Sequence, residues 1–293
     1  MSAESPLFSG FDTRRVRTSG AEINLVTGGS GPPLLLLHGY PQTHAMWHKI
    51  APRLAERFTV VCPDLRGYGD SAKPEGGSPH INYSKRAMAQ DQVEVMEALG
   101  YSRFALAGHD RGGRVAHRLV RDHPSRVERL AVLDIAPTSI MYAKTDKAFA
   151  TAYYHWFFLI QPFDLPERLI GADPRYYLRT KLAALSSGLR HFDAEALAEY
   201  ERCFCDPETI HATCEDYRAA ATIDLEHDAV DSVRVTCPML VLWGERGVVN
   251  RLFKPLEDWK TVADDVQGRA LASGHFLAEE APDATVDAML DFL

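Results

Sequence analysis

Cysteine is scarce in this 293-residue chain. Its five copies, Cys62, Cys203, Cys205, Cys214 and Cys237, form an odd set with no Cys-x-x-Cys pair. A zinc site or a full disulfide framework would need paired spacings, so the thiols are expected to be reduced and mostly buried. Long apolar runs are also missing, because Pro, His, Gly or a charge interrupts each block well before membrane-spanning length. Residues 1–11 lack a basic start, a long apolar stretch and a small-residue cleavage site. No secretory signal is readable there, and a soluble cytoplasmic protein is the expectation. Positive charge is not in excess either: 32 Lys and Arg stand against 40 Asp and Glu, a formal net charge of -8. Nucleic acid and an acidic membrane surface are therefore disfavoured as partners. A small anion stays compatible if cations gather locally. Neither an internal repeat nor a low-complexity segment is visible.

What is present is enough apolar material, 46% of residues, for one large core or one domain with an insertion. Short continuous apolar runs recur at residues 34–37, 58–62, 104–107, 130–133 and 239–243. Each ends near Gly, Asp or Pro, as buried parallel strands do. Helix-like stretches lie between them, among them residues 84–99, opened by a serine cap and followed by Gly100, and residues 114–122, stopped before Pro124. The alternation predicts an α/β protein with a doubly wound, mostly parallel sheet. In such a sheet, chemistry is sought just after the strand ends. The alternation lapses over residues 137–230, which are rich in aromatics and helix formers. That stretch is read as a helical cap inserted into a core made of residues 1–136 and 231–293.

The run from Phe104 to Arg114 reads FALAGHDRGGR and sets Gly108, Asp110 and Gly112 between a strand and a helix. This is the context of a nucleophile elbow, in which glycines permit the sharp turn and the residue between them is exposed at the helix N-terminus. A Gly-x-(Ser/Asp/Cys)-x-Gly match arises by chance on the order of 0.2 times in a chain this long, so the motif needs support. It comes from two further places in the expected order. His38-Gly39-Tyr40-Pro41 follows the first long apolar strand, where the Tyr40 amide, with that of Arg111, can form an oxyanion hole. Ser273-Gly274-His275-Phe276 lies near the C-terminus, where this architecture places its histidine.

The acid partner is less direct. Trp243-Gly244-Glu245-Arg246-Gly247 has Gly247 where an Asp is often found. Asp134, in Leu133-Asp134-Ile135, ends the preceding strand and is assigned to His275, with Glu245 as a weaker candidate. A carboxylate nucleophile such as Asp110 suits attack on a saturated carbon, expelling halide or opening an epoxide. The resulting ester is then hydrolysed by water that His275 activates. Attack on an ester would instead give an anhydride, which argues against an ordinary esterase. A helix-capping role for Asp110 is the bland alternative. His44 and His48 share a helical spacing without a third ligand and are read as structural.

The segments Gly108 to Arg114, Leu133-Asp134-Ile135, Tyr154-His155-Trp156, Cys214 to Arg218 and Ser273 to Phe276 resemble those of the fluoroacetate (haloacetate) dehalogenases of the α/β-hydrolase superfamily. The similarity runs over nearly the whole chain. The resemblance implies that Arg111 and Arg114 hold a substrate carboxylate. Their spacing of three at the start of one helix, and the forked donors of guanidinium, agree with that role. It further implies that His155, Trp156 and Tyr217 cradle the departing halide, each offering an N–H or O–H donor. No metal or organic cofactor is implied, and a homodimer is. Tyr40 departs from the Phe familiar at that position, which a backbone contribution tolerates. Two rivals are carried. An epoxide hydrolase would use the same Asp and need two phenols, with Tyr153, Tyr154 and Tyr217 available, yet Arg111 stands where those enzymes usually have an apolar aromatic. A non-catalytic ligand-binding protein on the same fold is the other.

Overall fold

The computed structural model describes residues 7–231 and 233–293; the first six residues of the segment read for a secretory signal lie outside them. Eight strands form one sheet in the order β1-β2-β4-β3-β5-β6-β7-β8. They are β1 (Asp12–Arg17), β2 (Glu22–Gly28), β3 (Pro33–Leu37), β4 (Thr59–Pro63), β5 (Phe104–His109), β6 (Val127–Leu133), β7 (Met239–Gly244) and β8 (Val266–Leu271). β2 pairs antiparallel with both β1 and β4, and the remaining pairings, from β4–β3 to β7–β8, are parallel.

The five apolar runs read from sequence are β3 to β7, with boundaries shifted by at most a few residues. They are legible because both faces are covered and every residue can be apolar. Strands β1 and β2 went unread, as did β8. β1 is DTRRVR, almost wholly exposed, and β8 alternates exposed and half-buried residues, so neither shows a continuous apolar run. Charged residues on an exposed edge strand such as β1 also oppose edge-to-edge association.

Helices follow the strands as expected. Ser84 caps the helix Lys85–Ala98 by accepting from the Ala87 N–H. The helix Arg111–Asp122 begins three residues earlier than the apolar pattern suggested, directly after Asp110. It is buried over most of its length between β3, β5, β6 and the helix Lys85–Ala98.

Between β6 and β7 the chain is helical, from Thr138–Ala143 to Ile223–Val230. Several of these helices announce themselves locally. Asp146, Asp173, Asp193 and Asp206 each cap one with a side-chain oxygen, and Pro174 and Pro207 occupy the first helical position. Their apolar faces do not form a separate core. Trp156, Leu178, Leu182, Tyr200, Phe204 and Tyr217 are buried in the same cluster as the sheet residues Leu34 to Leu37.

Candidate active site

Register brings the site residues together. Leu37 pairs with Gly108, His109 with Leu133, and Leu133 with Leu242, so β3, β5, β6 and β7 end side by side. Asp110 and Asp134 are the first residues beyond β5 and β6. Each has a left-handed backbone, φ 45° and 50°, uncommon for a residue with a side chain and typical of a sharp strand exit. The glycines around Asp110 are required by contact: a Cβ on Gly112 would stand 2.3 Å from the Leu37 carbonyl oxygen, and one on Gly108 2.5 Å from that of Gly112. The elbow presses helix and strand together too closely for any side chain there.

Asp110 is buried and accepts a hydrogen bond at its Oδ2 from the Tyr40 N–H at 3.1 Å. It makes no side-chain cap to the following helix. Burial would raise the Asp110 carboxyl, but the charges of His275, Arg114, His109 and Arg111 together hold it below the usual carboxylate value. The residue is thus ionised at neutral pH.

His275 Nδ1 lies 2.6 Å from Asp134 Oδ2, and the Gly244 N–H donates to Asp134 Oδ1 at 3.0 Å. Burial lowers the affinity of His275 for a proton, yet the bond and charge of Asp134 and the charge of Asp110 outweigh it and leave the imidazole raised. Glu245, in contrast, is exposed and has its backbone N–H on the Leu271 carbonyl. The structure also explains the glycine at 247. A Cβ there would come within 3.1 Å of Asp134 Oδ1, so both acid positions converge on one space and Asp134 fills it. His109, unassigned from sequence, bonds the His275 carbonyl oxygen through Nε2 at 2.8 Å, tying the end of β5 to the histidine loop.

Arg111 and Arg114 are both buried, at 0% and 4% exposure, but they are not equivalent. Asp216 holds Arg111 through Nε to Oδ2 at 2.8 Å and Nη2 to Oδ1 at 2.7 Å, and Nη2 also reaches the Asp216 carbonyl oxygen. Lys85 and the Tyr68 hydroxyl donate to the same carboxylate. The forked edge of Arg111, expected to meet a substrate, is therefore occupied within the protein, and Nη1 is left buried without a partner. Arg114 donates to the Ala136 carbonyl, Thr138 Oγ1 and Met141 Sδ, while its Nε is buried and unpartnered. Among the described residues Arg114 forms no ion pair; the Trp156 ring lies 4.6 Å from its guanidinium carbon.

The three residues matched to a halide cradle come together from two helices, Tyr154–Phe158 and Pro207–Ala221. His155 and Tyr217 rings are 5.7 Å apart and Trp156 and Tyr217 rings 6.5 Å. The Tyr217 hydroxyl is buried with no hydrogen-bond partner. Lys181, which drew no attention in the sequence, stands behind His155 with Nζ 2.5 Å from Nδ1. Burial draws this ammonium down to about 7, opposed by the charge of Asp110. Its signal was present: Leu178, Lys181 and Leu182 lie on one helical face, and a lysine amid buried leucines is anomalous. Asp216 lay inside the quoted Cys214 to Arg218 run, but nothing local says which cation a carboxylate will meet.

A cavity of about 310 Å³ opens between the inserted helices and the loops after β7 and β8. Lys181, Arg246, Arg251, Leu185 and His275 are among its lining. The His44 Nδ1 and N–H both meet Asp64 Oδ1, consistent with a structural role. All five cysteines are free, and no group of three metal-ligating side chains exists among the described residues. No helix among them is long and apolar enough to cross a membrane.

The arrangement of elbow carboxylate, histidine–acid pair and backbone donor is that of an α/β hydrolase, and residues 32–282 match the family model for the alpha/beta hydrolase fold. A solved α/β-hydrolase structure from Nostoc sp PCC 7120 superposes with a TM-score of 0.96 at 62% identity, covering 97% of this chain and 98% of that one. The fluoroacetate dehalogenase of Burkholderia sp is 48% identical over 98% of this chain and 95% of its own length. The soluble epoxide hydrolase of Corynebacterium sp. (strain C12) is 38% identical over 94% of each. The chain belongs to the fluoroacetate dehalogenase family of α/β hydrolases, hydrolases that act on carbon–halide bonds.

Proposed function

We propose that this protein hydrolyses a 2-haloacetate, fluoroacetate with chloroacetate as a second substrate, to glycolate and halide through an ester on Asp110. The observation that carries the reading is Arg114. It is a buried guanidinium beside an ionised Asp110, with no ion-pair partner among the described residues and an unpartnered Nε. A buried cation left so costs several kcal/mol unless an anion completes it, on the order of the penalty known for broken buried pairs. A substrate carboxylate, shared between Arg114 and the free Nη1 of Arg111, supplies that anion and places the neighbouring carbon near Asp110.

Asp110 Oδ then attacks the halide-bearing carbon, the carbon–oxygen bond forms as the carbon–halide bond breaks, and the halide leaves with its electron pair. His155, Trp156 and Tyr217 donate to it. His275 next takes a proton from water, which attacks the ester carbonyl, and the Tyr40 and Arg111 amides bind the oxyanion. Collapse expels glycolate, whose departing oxygen takes the proton back from His275, and the remaining water proton is lost to solvent as Asp110 is restored as a carboxylate. A homodimer belongs to the same reading through the family resemblance, and a cytoplasmic location is the expectation carried from the sequence.

Halide release measured with an ion-selective electrode from fluoroacetate and chloroacetate, with diol formation from styrene oxide as control, tests the assignment. Fluoride and chloride release without diol is expected. Diol without halide would transfer the protein to the epoxide hydrolases, and turnover of none of the three would favour a binding protein on this fold.

A further inference from the structure

His155 and Lys181 come from different helices of the insertion, Tyr154–Phe158 and Pro174–Leu185. Both are almost wholly buried, at 3% and 2% exposure, and Lys181 Nζ meets His155 Nδ1 at 2.5 Å. Lys181 forms no ion pair among the described residues. It lies 4.9 Å from the centre of the Tyr154 ring, and Asp110 is the carboxylate whose charge supports it. Below about pH 7, where Lys181 is charged, it has three donors and no acceptor, so this contact makes Nδ1 the acceptor. The proton of a neutral imidazole must then sit on Nε2. The ring is held in place as well: it stacks on Tyr40 at 6.1 Å with the planes 9° apart and meets Tyr217 edge-on at 5.7 Å.

We propose that Lys181 is a positioning residue that locks His155 as an Nε2–H donor to the departing halide and, by its charge, strengthens that donor enough to favour fluoride. The inference rests on the 2-haloacetate reading above. A donor polarised by a cation behind it forms a stronger, charge-assisted bond, most so to a small anion of concentrated charge. Fluoride, the poorest leaving group of the halides and the strongest hydrogen-bond acceptor, gains the most from it. Chloride leaves readily without such help.

Two measurements test this. In the first, imidazole nitrogen NMR is recorded on the wild type and on Lys181→Met. His155 is expected as the Nε2–H tautomer in the wild type and as a mixture in the variant. In the second, fluoride and chloride release are compared. Lys181→Met should lower the kcat for fluoroacetate roughly tenfold to a hundredfold and that for chloroacetate much less, while Lys181→Gln, whose amide can still donate to Nδ1, should recover part of the fluoride activity. A purely structural lysine would lower both activities alike. Should Lys181→Met not fold, the glutamine variant alone decides: its fluoride-to-chloride ratio should fall moderately below that of the wild type. An Nδ1–H tautomer in the wild type, or an unchanged ratio in the folded variants, would overturn the proposal. If the wild type releases no halide while keeping the Nε2–H tautomer, the dehalogenase reading and the halide role fail, and the Lys181–His155 lock stands.

Discussion

Asp216 grips the forked edge of Arg111 with two side-chain bonds of 2.7 and 2.8 Å, so the arginine next to the candidate nucleophile reaches a ligand with the single nitrogen left over. Lys85 shares the same carboxylate, and all three side chains are buried. Asp216→Asn would leave two buried cations side by side. A loss of about 3–5 kcal/mol in stability is expected, read as a lower denaturation midpoint in urea, together with a higher KM for haloacetate as Arg111 loses its anchor. Unchanged stability and KM would show that Arg111 is held by its other contacts.

Arg114 is the buried guanidinium with no ion pair among the described residues, and its loss should fall on binding. Arg114→Met keeps an apolar stem against Trp156 and removes the charge, so kcat/KM for haloacetate should drop by roughly tenfold to a hundredfold or more. Stability should change little, since no ion pair is broken, while the Asp110 carboxyl should rise as it loses one of the charges that hold it down. A variant with wild-type kcat/KM would take the substrate carboxylate away from this residue.

Splitting the two chemical steps gives a direct view of Asp110. His275→Asn should allow ester formation while blocking its hydrolysis, so incubation with chloroacetate should add the mass of the bound acetate moiety to the protein, localised to the peptide carrying Asp110. Asp110→Asn should show neither adduct nor turnover. Full activity in either variant would remove the assignment.

The pH dependence follows from the His275–Asp134 pair. His275 acts as a base only when neutral, and burial is outweighed by Asp134 and Asp110 so that its proton is held more tightly than usual. Turnover should therefore fall on acidification as His275 is protonated, with the bond and charge of Asp134 setting the limb, since Asp110 carries no charge once it is esterified. Asp134→Asn removes the bond that raises it, and the remaining activity should have its acid limb at lower pH. A limb that stays put would mean another group governs it.

Sequence alone determined the five central strands, the elbow around Asp110 and the chain order of Asp110, Asp134 and His275. These features are local: buried parallel strands are apolar throughout, and a sharp turn between strand and helix demands glycine at fixed offsets. The edge strands β1 and β8 left no such mark because exposure relaxes the pattern. The sequence already preferred Asp134 over Glu245 for His275, but only the tertiary structure gives the reason, since Gly247 and Asp134 are far apart in the chain yet converge on one space. The tertiary structure alone decided that Arg111 is held by Asp216 while Arg114 is not, and that Lys181 stands behind His155. Such pairings join residues tens to more than a hundred positions apart. A side chain's type fixes how many bonds it can make, but which partners it finds is settled only when the helices pack onto the sheet.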